Sequence, residues 1–371
     1  MMNGILVLWL ISMNLITYIE KYGSKTFDEK SLNGVDKLIF SNLSYVDFNG
    51  LVSKNSFHKK TLYEVGKEFF NNNLDKGKKI LAIKGGIKLL KAMYKTNRYK
   101  DLLLFNYENI MTDKEQFSAL SIEIEPKLIY VSFEGTDDLV VGWKEDFEMC
   151  YKFPVKSQQS AINYLNGHFT FKDCKLIIGG HSKGGNLAIV SSMYANFIVR
   201  KKILEVYSYD GPGMLKEMVN SNRFKRLEDR FVHFIPNNSV VGIMLYSKDY
   251  DVVKTNHVGL LSHFALNWEV DENDLIADKL KPSSIELKKK MDTWLEKYNK
   301  EEKRVFVKEL FNIFNKHGIS SLMQVNKPSI LIHMLNDTKN LDTKTRNMFK
   351  EFMDMVRKFL FKNVKEKITK K

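Results

Sequence analysis

Residues 176–188 read Leu-Ile-Ile-Gly-Gly-His-Ser-Lys-Gly-Gly-Asn-Leu-Ala: an apolar run, then Gly180-His181-Ser182-Lys183-Gly184, then a run of helix formers. A strand that turns directly into a helix leaves so little room at the turn that the residues two before and two after the turning residue must be small. Gly180 and Gly184 meet that demand. Ser182 then stands at a helix N-terminus, where the helix dipole and unpaired backbone N–H groups favour negative charge. That is the place for a nucleophile in acyl transfer. A chance match is the competing explanation, and the β-like run before the motif and the apolar positions Leu187, Ala188, Val190 and Ala195 after it argue against one.

The rest of the chain supplies a frame for such a turn. Segments 102–105, 117–124 and 128–133 read as successive strands. Strand and helix then alternate: helix over 157–165, strand over 174–178, helix over 186–199, and strands over 204–209, 231–235 and 250–254. Apolar strands separated by helices indicate a mostly parallel sheet covered on both faces, the α/β-hydrolase fold class. Helical spacing at 15–22, 61–70 and 81–94, with the apolar residues of 38–51, provides support for it. After Pro282 only helices are expected. Ser283 and Glu286 have capping-box spacing, and apolar stripes follow at Val305, Leu310, Phe311 and Phe314 and at Phe349 to Leu360. The division expected is an apolar N-terminal extension at 1–12, a hydrolase domain at 13–281 and a helical appendage at 282–371 packed on it.

A length of 371 residues with 44% hydrophobic content suits one large core plus an appendage. The formal charge of +14 raises the question of a polyanion partner. The basic residues are scattered and no zinc-finger spacing or RNA-binding aromatic motif accompanies them, so no nucleic-acid partner is expected. Cys150 and Cys174 are isolated, which fits a cytoplasmic protein without a disulfide framework. Residues 3–19 are nearly uncharged but lack a basic flank and a cleavage site, so membrane anchoring stands as the alternative to an extension. A basic run around the last helix (Arg357, Lys358, Lys362, Lys365, Lys367) leaves room for peripheral contact with an anionic membrane.

In this fold the nucleophile is followed by an acid and then by a histidine beyond the last strands. Of eight histidines, His58 and His168 precede the nucleophile, His181 lies inside the elbow, His233 falls in a strand, and His317 and His333 fall in the appendage; His257 and His263 remain, and His263, in the loop leading to Trp268, is favoured as the base. Asp210, ending the strand 204–209 at Asp210-Gly211-Pro212-Gly213, is the expected acid, with Asp249 and Asp251 next in line; its other reading is a turn former. The oxyanion donors expected are the backbone N–H groups of Lys183, directly after the nucleophile, and of Thr136, in the loop after the strand 128–133. Such a set needs no metal or organic cofactor. It cleaves carboxylic esters through an acyl-enzyme.

Gly135-Thr136-Asp137-Asp138, Gly142 to Phe147, Gly180 to Ala188, Asp210 to Gly213 and Ser239-Val240-Val241-Gly242 together resemble the Mbeg-like family of bacterial α/β hydrolases, a group without an established substrate and distantly similar to class 3 lipases. The resemblance runs from about Leu15 to near the C-terminus. It implies a serine hydrolase with lipase-like machinery, for which a lipid or other long acyl ester is the leading substrate. Two positions depart from the pattern: Glu134 stands where class 3 lipases usually carry Arg, and Phe264 where family members tend to have an acidic residue. Two further readings use the same residues: a non-catalytic binding or scaffold protein, and a thioesterase or peptidase.

Overall fold

The computed structural model describes residues 12–55, 57–78, 80–137, 140–319 and 336–368. The apolar run 1–11 and Asp138 lie outside these residues, as do the side chains of Val356, of Lys358 and of everything after it. Among the described residues, eight strands form one sheet in strict chain order: β1 (Lys60–Thr61), β2 (Leu103–Met111), β3 (Gln116–Glu125), β4 (Leu128–Phe133), β5 (Lys175–His181), β6 (Ile203–Tyr209), β7 (Phe231–Pro236) and β8 (Asp251–Val253). The first three pairings are antiparallel and the four from β4 to β8 are parallel. This is the α/β-hydrolase architecture expected.

Parallel neighbours need crossover helices, and crossovers share one hand. Since β4 to β8 follow one another in order, their crossover helices fall on one face of the sheet. The opposite face needs another cover, and the N-terminal third of the chain supplies it: α1 (Leu15–Tyr22), α2 (Gly34–Leu43), α3 (Leu62–Asn71) and α4 (Leu81–Met93). The alternation along the strands shows the two layers. Tyr130, Ile177, Tyr207 and Tyr209 share a core with α1 to α4. Ile129, Val131, Phe133, Leu176 and Ile178 share one with the crossover helices α6 (Lys156–Phe169) and α7 (Lys183–Tyr194). Between β4 and α6 lies α5 (Val140–Glu148), whose Phe147 ring stands 5.8 Å from both Phe311 and Phe352 of the C-terminal helices. Those helices, Pro282–Lys297, Lys300–Lys316 and Thr343–Ile368, form a third core with Met149, Ile243 and Leu245.

Three local expectations change. The helix 186–199 is broken: Ala195 is extended, and Asn196 caps a separate turn, Phe197–Arg200, by accepting from Val199 N at 3.0 Å. The capping box falls not at Ser283 but at Asn299 and Glu302, because Pro282 already occupies the first turn of its helix, where its missing N–H costs nothing. And α2, unread in the sequence, begins with a capping box between Asn33 and Asp36. Among the described residues no helix is long and apolar enough to cross a membrane.

Asp36 also anchors α2. Its carboxylate accepts from Arg98 Nε at 2.8 Å, Arg98 Nη2 at 2.5 Å and Tyr99 OH at 2.7 Å, while Arg98 Nη1 donates to the Lys30 carbonyl at 2.7 Å. Both charged side chains are fully buried. The chain leaving α2 carries Tyr45 into the site described below. Asp36→Ala strands a buried guanidinium, so thermal or urea unfolding should show a loss of about 3–5 kcal/mol; a loss under 1 kcal/mol would show the pair to be dispensable.

Candidate active site

The elbow has the geometry its glycines imply. Ser182 takes φ 58° and ψ −132°, a conformation unfavourable for a residue with a side chain. A Cβ on Gly180 would overlap the Gly184 carbonyl and come within 2.7 Å of Phe133 O, and one on Gly184 would overlap the Phe133 carbonyl. Both positions therefore exclude any side chain. Ser182 N donates to Tyr209 O at 2.9 Å, which ties the turn to the end of β6. Lys183 opens α7, so its N–H has no acceptor within the helix.

Asp210 follows β6 directly and is fully buried. Its Oδ1 accepts from Ser239 Oγ at 2.6 Å and Gly242 N at 2.9 Å, and its Oδ2 faces His263 Nδ1 at 2.6 Å. Ser239 and Gly242 belong to the Ser-Val-Val-Gly motif. A Cβ on Gly242 would overlap Asp210 Oδ1, which accounts for the glycine. His263 ends the short helix Leu260–His263, held in place by Gly259 N donating to Asn238 Oδ1 (2.6 Å), Ser262 Oγ to Asn238 O (2.7 Å) and Trp268 Nε1 to Ser262 O (2.8 Å). His257 is exposed and makes no such contact with Asp210; Asp251 is exposed on β8.

His181, set aside in the sequence as part of the elbow, sits against His263. Its Nε2–H donates to the His263 carbonyl at 2.7 Å, its Nδ1 accepts from Tyr45 OH at 2.8 Å, and the two imidazole rings lie 4.5 Å apart. Burial, helped by the neighbouring His263, pushes the His181 pKa down to about 3. It is thus a neutral support that clamps both backbone and ring of His263.

Thr136 lies in the loop after β4, and its Oγ1 donates to Asp146 Oδ2 of α5 at 2.7 Å. The Lys183 side chain turns inward and is buried. Its Nζ donates to Gln116 O at 2.7 Å and stands 3.5 Å from Glu145 Oε2. Glu145 in turn accepts from Gln116 N at 3.1 Å and Ser157 N at 3.0 Å, joining β3, α5, α6 and α7 through one carboxylate. Burial raises Asp146 to about 6 against the pull of Lys183 and Thr136. Among the described residues no group of His, Cys, Asp and Glu is arranged to hold a metal ion.

Residues 93–312, more than half of the chain, match the Mbeg1-like family. The chain belongs to that family. No curated protein matches the sequence. Solved structures similar to this Mbeg1-like protein include a Rhizomucor miehei lipase propeptide complex, at 12% identity over 59% of this chain and 67% of that one, TM-score 0.36. A fungal lipase–inhibitor complex is 12% identical over 65% and 85%, TM-score 0.36, and a lipase from Rhizopus microsporus var. chinensis is 14% identical over 45% and 63%, TM-score 0.30.

Glu134, the departure from class 3 lipases noted above, is half-buried, with its carboxyl raised to about 8, first by desolvation, then by Asp137, with Lys183 opposing. The folded state therefore holds this proton more tightly than the unfolded chain, whose carboxyl titrates near 4.5. Stability falls as pH rises from 4.5 toward 8. Glu134→Gln should raise the melting temperature relative to wild type at pH 8 by a few degrees and leave it unchanged at pH 4. Equal shifts at both pH values would contradict this protonation state.

Proposed function

We propose that this Mbeg1-like protein is a serine hydrolase that cleaves carboxylic esters through an acyl-enzyme. The observation that carries the reading is the 2.6 Å contact between Asp210 Oδ2 and His263 Nδ1, at a histidine whose ring centroid lies 4.5 Å from that of His181, the residue before Ser182. Ser182 Oγ attacks the ester carbonyl while His263 Nε2 takes its proton. Asp210 holds the imidazole in the tautomer that leaves Nε2 free, and balances the charge it acquires. The N–H groups of Thr136 and Lys183 bind the oxyanion. The alkoxide leaves with the proton from His263, which then activates water to release the acid and regenerate Ser182.

The site opens into a small recess lined mostly by apolar side chains. A cavity of about 70 Å³ beside His263 and Thr136 is walled by Ile80, Leu81, Leu260 and Phe264, with Trp143 of α5 on another side. Leu81 and Leu261 are exposed at 45% and 40%, giving the site an apolar surround that suits a lipid or long acyl ester. Phe264 extends this apolar wall.

Fluorophosphonate labelling of the full chain, followed by turnover of p-nitrophenyl esters of increasing acyl length, tests the reading. Ser182→Ala should abolish labelling with the fold retained, and turnover should rise from acetate toward longer chains. Asp210→Asn, which favours the wrong imidazole tautomer, should cost about 10⁴-fold in kcat. Folded wild-type protein that neither labels nor turns over any ester would identify a scaffold instead; turnover of thioesters or peptides alone would move the substrate class.

A further inference from the structure

Arginine is scarce in this chain: 58 basic residues include only eight arginines. Three of them pair with carboxylates, Arg98 with Asp36, Arg304 with Glu301 and Arg357 with Asp354. Arg346 donates to the carbonyls of Thr338, Lys339 and Leu341. The remaining four, Arg200, Arg223, Arg226 and Arg230, line one groove of about 380 Å³ together with Lys201. No ion pair joins any of the five to a carboxylate among the described residues. Half of the chain's arginines thus converge where no protein anion meets them.

The convergence is a product of the fold. Arg200 comes from the turn Phe197–Arg200, Arg223 from Asn222–Lys225 and Arg230 from Glu228–Arg230. The guanidinium groups of Arg200 and Arg223 reach the same acceptor, Met193 O, each at 3.4 Å. Arg230 is fixed by the carbonyls of Ile203 (2.8 Å) and Arg226 (2.9 Å), and Arg223 lies over the Tyr194 ring at 4.8 Å. Capping the end of α7 explains the long contacts of Arg200 and Arg223 but gives Arg226 nothing to do. Burial and the neighbouring Arg223 and Arg226 hold the Arg200 guanidinium below its ordinary pKa, the mark of crowded like charges.

Elsewhere the exposed cations of this chain are mostly lysines, mobile point charges, and the exposed Arg304 and Arg357 are paired with carboxylates. A planar guanidinium fork matches two oxygens of one phosphoryl group, which a lysine cannot do. Met193 and Leu227 line the groove as well, and Phe197 is 60% exposed at its edge. We propose that this groove binds a phosphoryl-bearing ligand, with Arg200, Arg223 and Arg226 on the phosphate oxygens and Phe197 against the apolar part. The phosphoryl group belongs either to a free phosphorylated molecule or to a lipid headgroup. The site is separate from the elbow: α7 has twelve residues, so the groove opens about 18 Å from Ser182 along the helix.

The test uses the full chain and two probes, inorganic pyrophosphate by titration calorimetry and phosphatidylcholine vesicles with and without phosphatidylglycerol by co-sedimentation. Arg223→Lys combined with Arg226→Lys alters two exposed positions, keeps the charge and removes the forks. Saturable pyrophosphate binding, weakened at least tenfold in that variant, is expected for a free ligand. Binding only to the vesicles with phosphatidylglycerol, weakened likewise, assigns the site to a headgroup. Failure of both probes to bind, or equal binding by wild type and the lysine variant, would reduce the groove to a diffuse basic surface and overturn the proposal.

Discussion

The turn at Ser182 is the constraint on which the remaining geometry depends. Its backbone strain costs on the order of 1–3 kcal/mol and persists only because the surroundings admit no relaxed alternative. Those surroundings are specific. The end of β4 presses on Gly180 and Gly184, and the Ser182 N–H is held by the end of β6. Gly135, beside Thr136, comes so close that a Cβ there would lie 2.9 Å from the Ser182 Cβ, and one on Gly211, beside Asp210, would lie 2.8 Å from Ser182 O. Asp210 is itself left-handed, at φ 49°, as the chain turns off its strand to present the carboxylate to His263, Ser239 and Gly242.

A second layer consists of buried charge. Lys183, Glu145, Asp146 and Asp137 are buried around the loop that follows β4, with the half-buried Glu134 beside them, and a lone ion in such a place would be prohibitive. Lys183 makes the arrangement tenable by meeting Glu145 and lowering the cost of the neighbouring carboxylates. It also binds the first residue of α7 to β3 through Gln116 O, so the N–H proposed to hold the oxyanion belongs to a residue fixed at both ends. The appendage contributes from behind, where Phe311 and Phe352 brace Phe147 on the helix that carries Glu145 and Asp146.

The elbow, the strands from β2 to β8 and the pairing of Asp210 with His263 were legible because each rests on local pattern or chain order. Gly180 and Gly184 flank a serine between a strand and a helix, and a histidine must come after an acid. What was not legible has a common cause. Eight of the ten residues of α2 are buried, Ser41 and Asn42 among them, so no polar face gave it a helical period. Glu145 and Asp146 stood in the motif Gly142 to Phe147, but their partners Lys183 and Thr136 follow only from the meeting of α5 with α7 and the loop after β4, and no linear motif marked Tyr45. His181 was visible but unread: its role lies in a bond to the backbone of His263, eighty-two residues away. The break after Tyr194 turned on one asparagine cap, a margin that composition cannot resolve.

Trapping the covalent intermediate tests the central claim most directly. Full-length protein is mixed with an excess of a p-nitrophenyl ester, quenched in acid within the first turnover and digested for mass spectrometry. The account predicts a burst of p-nitrophenol stoichiometric with enzyme, and one acyl group on the peptide containing Ser182. Turnover without a burst and without an acylated peptide, or acylation at another residue, would contradict it.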